Sequence, residues 1–354
     1  MRKLACVAAS IIAALHVIAA AAFPLSGPGA PDPLQITDVV QGGGLWANDA
    51  GYNDLNAFGA RTLRTAPQIN TGIKNLVLII AGQSNGATEA PSAYVPTNGS
   101  AIDNLNIYDG GIYPWVDPPL GSTWAYQSFG GTGSTCATLQ SCGHVGARIA
   151  DIFISGNGTV PAGTFNRVII APVAVGGTSI SQHSIGGPLY NRICQAMQRL
   201  ANRGITPSVT NTTFAIVWVQ GESDTGTTLA AYQAALNNIQ AKAVSCGFSG
   251  RFFVNIQTWL SGTVNPTIQS AQSGIVDNTK FWAGFNADSL GSGNRIADNT
   301  HFNDSGVSAL ATGIANAMHA SGAPFLWSPP FAVNDNWQAL EGCNDNTSDF
   351  CKAM

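Results

Sequence analysis

The run "LVLIIAGQSNG" at residues 76 to 86 is apolar from Leu76 to Ala81 and then breaks into glycines and small polar residues around Ser84. Apolar side chains at consecutive positions occupy both faces of an extended chain, so this strand needs cover on both sides. Four more runs share the property: "RVIIAPVAV" from Arg167, "FAIVWV" from Phe214, "RFFVNIQ" from Arg251 and "KFWAGF" from Lys280. Between them lie helical patterns: "GHVGARIADIFIS" from Gly143, "PLYNRICQAMQRLANRG" from Pro188, "TTLAAYQAALNNIQAKAVSCG" from Thr227 and "NDSGVSALATGIANAMHASG" from Asn303. Strand and helix alternate, which predicts an α/β fold: a three-layer, doubly wound parallel sheet. The segment from Ala90 to Ser141, with "GGIYPWVDPPLGSTWAYQSFGG", reads as one long loop that walls a cleft.

The chain has 354 residues, 45% of them hydrophobic, enough for one elaborated domain. Its start, "MRKLACVAASIIAALHVIAAAAFPLSG", has the order of a secretory signal: Arg2 and Lys3, an apolar run, then alanines before Phe23. Residues 1–22 are therefore expected to be removed and the mature protein to be secreted; an uncleaved anchor is the competing reading. Residues 23–72 read as an irregular N-terminal segment rich in Pro, Gly, Asn and Asp, 73–322 as the folded domain, and 323–354 as a C-terminal appendage.

Loss of Arg2 and Lys3 leaves 13 basic against 19 acidic side chains, a net charge of −6, which argues against nucleic acid as a partner. No stable membrane association is expected once the signal is gone, and a monomer is expected. Only 10% of residues are charged, so the surface is largely neutral and hydrogen-bonding, as suits carbohydrate-rich surroundings. Six cysteines remain, and an even number in an exported chain reads as three disulfides. Nearest-neighbour pairing, Cys136–Cys142, Cys194–Cys246 and Cys343–Cys351, is one of fifteen connectivities. Zinc ligation is the rival use, but the spacing with histidines does not fit it. Sequons at Asn98, Asn157, Asn211, Asn303 and Asn346 mark the expected glycoprotein surface.

In open parallel sheets, ligands sit beyond the carboxyl ends of the strands, so the loops there carry the candidate chemistry. "AGQSNG" puts Ser84 in a tight turn with its N–H near a helix start, where it could be a nucleophile; a helix N-cap is the local alternative. "AVGGTSI" offers Gly176 and Gly177, either a plain turn or a close-approaching backbone whose N–H could hold an oxyanion. "WVQGESDT" sets Gln220, Glu222 and Asp224 on the same rim, although Asp224 or Thr225 could simply cap the next helix. "ADNTHFNDSG" places Asp298 three residues before His301, a spacing at which one short loop presents an imidazole and the acceptor that fixes its tautomer. Together the four loops describe a nucleophilic hydrolase. Of the other histidines, His144 opens a helical pattern, His319 closes one, and His183 lies near the expected cleft, where it could touch substrate. Trp124, Tyr126 and Trp259 could stack on a sugar or pack in the core.

"GQSN" early, "QGESD" midway and "DNTHFNDSG" late also resemble the SGNH hydrolases, in their sialate O-acetylesterase-like branch that includes carbohydrate esterase family 6, over residues 75 to 321. The resemblance implies a flavodoxin-like fold, Ser84 as nucleophile, His301 as base and Asp298 as its orienting acid. It further implies an oxyanion hole from the N–H of Ser84, a glycine of "VGGTS", assigned as Gly177, and the side chain of Gln220. The wider superfamily carries asparagine at the third block, where this chain has "QGESD". Glu222 is a rival or auxiliary acid for His301. The activity implied is removal of O-acetyl groups from carbohydrate, acetylxylan-type or sialate-type, with no metal or organic cofactor. A general lipid or ester hydrolase, a catalytically retired carbohydrate-binding protein and a metal-dependent deacetylase are the competing classes.

Overall fold

A computed structural model describes Arg64 and residues 69–107, 110–121 and 142–322. The strands among these residues are β1 (Asn75–Gly82), β2 (Thr88–Ala90), β3 (Ile102–Leu105), β4 (Ile112–Pro114), β5 (Gly143–His144), β6 (Arg167–Pro172), β7 (Thr212–Val219), β8 (Arg251–Ile256) and β9 (Phe281–Asn286). The helices are α1 (Val145–Ser155), α2 (Ile180–His183), α3 (Arg192–Ala201), α4 (Leu229–Ser245), α5 (Pro266–Gly274) and α6 (Asp304–Ala320).

β1 is buried at all eight positions and lies at the heart of the seven-stranded sheet, ordered β4-β3-β6-β1-β7-β8-β9. It pairs in parallel with β6 on one side and β7 on the other. Its side chains alternate between two cores: Val77 and Ile79 meet α3, α4 and α5 through Met197, Leu236 and Ile268, while Leu76, Leu78 and Ile80 meet α1 and α6 through Ile149, Phe153, Leu310 and Ile314. This is the three-layer, doubly wound arrangement expected from a strand apolar on both faces. Without β3 and β4, the five strands legible in the sequence stand in the flavodoxin-like order 2-1-3-4-5.

The expectation of one long loop from Ala90 to Ser141 is corrected at its start. β3 joins β6 in parallel, and β4 folds back antiparallel as the sheet edge. β3 escapes a hydrophobic reading because Asp103 is buried in it, paired with Arg64 at 3.0 Å and with Arg167. Asn104 is likewise buried, donating to the Leu120 carbonyl at 2.9 Å and accepting from the Leu120 N–H at 2.6 Å. α5 is a further helix beyond the four helical patterns read from the sequence; Pro266 opens it and Asn265 caps it.

Cys194 on α3 and Cys246 at the end of α4 form a disulfide, with 5.4 Å between their Cα atoms. Cys142 is disulfide-bonded too; Cys136, Cys343 and Cys351 lie outside the described residues, as do the signal segment, Trp124, Tyr126 and Asn346. The described sequon asparagines are all engaged through their amide nitrogens. Asn98 donates to Asp151 and Ser155, Asn157 to Asn316, Asn211 to the Thr71 carbonyl, and Asn303 to the carbonyls of Gly293 and Arg295. Among the described residues, no helix is long and apolar enough to cross a membrane.

The Cys194–Cys246 bridge closes a loop spanning 52 positions, which restricts the unfolded chain. Replacing both cysteines by serine is expected to lower the unfolding free energy by about 2–4 kcal/mol, read as an earlier urea midpoint under non-reducing conditions.

Candidate active site

The turn carrying Ser84 begins where β1 runs out against β7. Gly82 has φ 121°, and a Cβ there would lie 2.0 Å from the Val219 carbonyl oxygen. Only glycine lets the backbone pass so close to β7, and Gln83 N–H then donates to that same carbonyl at 2.8 Å. Ser84 is the first residue of a single 3-10 turn ending at Gly86, and the N-cap position is held by Gln83. The N-cap reading and the expected helix start are both corrected, since strand β2 follows. Ser84 is 2% exposed.

Asn85, to which sequence reasoning assigns no role, joins three loops. Its amide donates to Glu222 Oε1 at 2.7 Å and to the Thr300 carbonyl at 3.4 Å, and its oxygen accepts from Phe302 N–H at 3.3 Å. The nucleophile candidate's turn is thereby bonded to both neighbours of His301. The only signal in the sequence is its place inside "QSNG".

After β7, Gly221 has φ 150°, and a Cβ there would meet the Gln257 carbonyl at 2.3 Å, so this turn also requires glycine. The Gln220 side chain is fully buried. Its amide nitrogen donates to Gln83 Oε1 at 3.2 Å, to the Thr178 carbonyl at 3.1 Å and to Asp224, while its oxygen accepts from Tyr232 at 2.8 Å. Those donors, expected at an oxyanion, are taken up by the protein, and Gln220 braces the loops after β1, β6 and β7. Asp224 does not cap α4; Thr228 does, at 3.2 Å. Asp224 instead accepts from Ile180 N–H at the start of α2 and from Thr227.

Glu222 is buried, and its Oε1 takes the Asn85 bond and a second from Gln257 at 2.8 Å. Burial pushes its carboxyl up to about 7, against the opposing pull of those two amides and of Arg295.

Asp298 and His301 sit in a loop pinched off by an antiparallel bridge between Arg295 and Phe302. Asp298 Oδ1 accepts from the backbone N–H of Thr300 at 2.8 Å and of His301 at 3.0 Å. Its Oδ2 lies 2.6 Å from His301 Nδ1. Partial burial would raise the Asp298 carboxyl, but these donors outweigh it and hold the group below the usual carboxylate range. A carboxylate on Nδ1 holds the hydrogen there and leaves Nε2 as the basic nitrogen. Arg295 supports the loop from inside. Its guanidinium lies 3.7 Å from the Phe302 ring centroid and donates to the Thr300 carbonyl at 2.6 Å and the Ala287 carbonyl at 3.2 Å. Sequence reasoning passes over Arg295 too, although an arginine buried in so weakly charged a chain is a signal.

Gly177 is exposed in the loop after β6, with φ 70° and no described atom within 4 Å of where a Cβ would be. His183 is not at a substrate surface: it is buried edge-on against Trp218, 5.2 Å between centroids, with Nε2 2.8 Å from Thr178 Oγ1. Burial, with Arg192 adding, pushes it down to about 3. His144 caps α1 by accepting from Gly146 N–H at 2.9 Å, and His319 lies in the last turn of α6. Trp259 is half-buried beside the His301 loop, donating through its indole nitrogen to the Asn299 carbonyl at 3.0 Å.

The family model "Carbohydrate esterase, sialic acid-specific acetylesterase" matches residues 140–320, just over half the chain. The match takes in Gln220, Glu222, Asp298 and His301, and ends short of Ser84 on the N-terminal side. No curated protein sequence matches. Among solved structures, a protein from Arabidopsis thaliana is similar at 18% identity and TM-score 0.49, covering 72% of this chain and 100% of that one. A structure described as "Peptidoglycan O-acetylesterase in action" is similar at 14% identity and TM-score 0.31, covering 43% of this chain and 46% of that one. With more than half of its length matched, the chain belongs to the sialic acid-specific acetylesterase family of carbohydrate esterases, the sialate O-acetylesterase-like branch of the SGNH hydrolases.

Proposed function

We propose that this protein is a secreted serine esterase that removes O-acetyl groups from carbohydrate, acetylxylan-type or sialate-type, with Ser84, His301 and Asp298 as its triad. The observation that carries the reading is the 2.6 Å pair of Asp298 and His301 Nδ1, on a loop that Asn85 bonds to the turn of Ser84. In the reaction, His301 Nε2 takes the Ser84 hydroxyl proton as Oγ attacks the acetyl carbonyl. The N–H groups of Ser84 and Gly177 receive the oxyanion. Collapse of the tetrahedral adduct breaks the bond to the sugar oxygen, which leaves with the proton from His301. Water, deprotonated by the same nitrogen, then attacks the acetyl-serine; acetate departs and the hydroxyl returns to Ser84. Asp298, held below the usual carboxylate range, stays ionised opposite the imidazolium that forms. The charge, apolar and alanine order of residues 1–22 supports export, as does the Cys194–Cys246 disulfide.

Ser84→Ala is expected to abolish acetate release from acetylated xylan, O-acetylated sialosides and 4-nitrophenyl acetate; retained turnover sinks the reading. A series of aryl esters from acetyl to octanoyl separates a carbohydrate deacetylase, fastest on acetate, from a general lipid esterase, whose rate rises with chain length.

The two acids are separated by a second pair of variants. Asp298→Asn removes the carboxylate on Nδ1 and is expected to lower kcat by about 10³-fold or more. Glu222→Gln reaches the loop indirectly, through its hydrogen bond with Asn85 and the pull of Arg295, and is expected to lower it by about tenfold. A larger loss in Glu222→Gln than in Asp298→Asn would make Glu222 the principal acid.

Glu222 also predicts a stability difference. Its folded value, about 7, lies above the ordinary 4.5, so folding favours its protonated form. That contribution is present in full below pH 4.5 and is lost as pH rises through 7. Relative to Glu222→Gln, the native protein is expected to lose at most about 3 kcal/mol across that interval, read by urea unfolding at a series of pH values.

A further inference from the structure

We propose that Trp259 and Leu260 form the platform that receives the ring of the sugar carrying the ester, so that the loop after β8 reads the substrate's carbohydrate part. The inference rests on the deacetylase reading above and adds to it where the sugar is recognised.

The loop from Thr258 to Thr263 is a small hairpin closed by an isolated bridge between Leu260 and Thr263. Its base is fixed by Asp288, a buried carboxylate that accepts from Thr258 N–H at 2.8 Å, the Thr258 hydroxyl at 2.6 Å and Trp259 N–H at 3.0 Å. Its tip is bonded to the two residues that precede His301. Trp259 Nε1 and Gly262 N–H both donate to the Asn299 carbonyl, at 3.0 and 3.1 Å, and Ser261 N–H donates to Thr300 Oγ1 at 2.8 Å. Two of these contacting residues are non-glycines in the left-handed region, Ser261 at φ 48° and Asn299 at φ 53°. Such conformations are strained for a residue like serine and persist where the surroundings impose them. A side chain on Gly262 is disfavoured by its φ of 87°, and its Cβ would also push on the Asn299 amide at 2.6 Å. The hairpin therefore moves with the His301 loop or not at all.

What this rigid hairpin exposes is chemically mixed. Leu260 is 36% exposed and is followed by exposed Ser261, Gly262 and Thr263, beside the half-buried indole of Trp259. A pyranose has the matching character, an apolar C–H face edged by hydroxyls, and aromatic and aliphatic surfaces take that face while neighbouring hydroxyls take the edge. A long acyl chain would call for a continuous apolar channel, whereas here one leucine stands among polar neighbours. Exposed apolar side chains are ordinary one at a time. Leu260 differs from Ile185 or Val95 in that its loop is fastened to the residues next to the proposed base.

The test compares kcat/KM on acetylated xylo-oligosaccharides with that on 4-nitrophenyl acetate, which carries no sugar. For Leu260→Ser the ratio is expected to fall about fivefold, through KM, and Leu260→Met is expected to restore it. Trp259→Ala should lower the ratio further, with some loss on both substrates because its bond to Asn299 goes as well. Equal losses on the two substrates, or no change in the ratio for Leu260→Ser, overturn the platform and leave the deacetylase reading standing. A Leu260→Ser loss confined to 4-nitrophenyl octanoate also overturns it, by assigning the leucine to an acyl chain. A native protein that cleaves no acetylated sugar at all fails the deacetylase reading itself, and the platform with it.

Discussion

The Asn85 side chain is the constraint on which the geometry of the site depends. A buried primary amide must satisfy two N–H donors and a carbonyl acceptor, and each unmet group costs on the order of 1–3 kcal/mol. Asn85 meets that demand with three partners from distant parts of the chain, 137, 215 and 217 positions away. The turn after β1, the turn after β7 and the loop before α6 are therefore held by one group. Moving any of them by an ångström or so would leave a polar group stranded in a dry interior.

The sheet makes this convergence possible. β1 sits between β6 and β7, and the chain goes from β1 first to one side of the sheet and later to the other. The loops after β1 and β7 are thus neighbours at the carboxyl edge, at the point where doubly wound sheets open a crevice. Gly82 and Gly221 let both loops turn there against adjacent backbone. Hydrophobic burial below the edge and polar satisfaction above it divide the work, the first placing the strands and the second fixing the turns.

That division explains what is legible in the sequence. β1, β6, β7 and β8 announce themselves because burial on both faces leaves a run of apolar residues, while β9, an edge strand in which only Phe281 is buried, shows through its aromatic residues. β3 does not, since its Asp103 and Asn104 are made tolerable by Arg64, Arg167 and the Leu120 backbone, which no local pattern displays. Within the site, Asp298 and His301 can be paired from their spacing because one short loop joins them. The roles of Asn85, Arg295 and Gln220 rest on contacts made across the fold. Gln220 shows the difference most sharply: its type and position suit an oxyanion donor, yet a buried amide bonds to whatever acceptors surround it, and here these are Gln83, Thr178 and Asp224.

The two carboxyl groups near His301 show how placement sorts similar chemistry into different work. An acid that supports an imidazolium must keep its negative charge throughout the reaction. Asp298, its side chain 41% exposed and its oxygens fed by two backbone N–H groups and the imidazole, is stabilised in the charged form. Glu222 is dry, and burial drives it toward the neutral form even with Asn85 and Gln257 donating to one oxygen. Among the described residues its other oxygen has no partner, nor has the side-chain oxygen of Gln257. Glu222 thus suits a scaffold whose hydrogen bonds matter more than its charge, and Asp298, at the wetter edge, suits the electrostatic task.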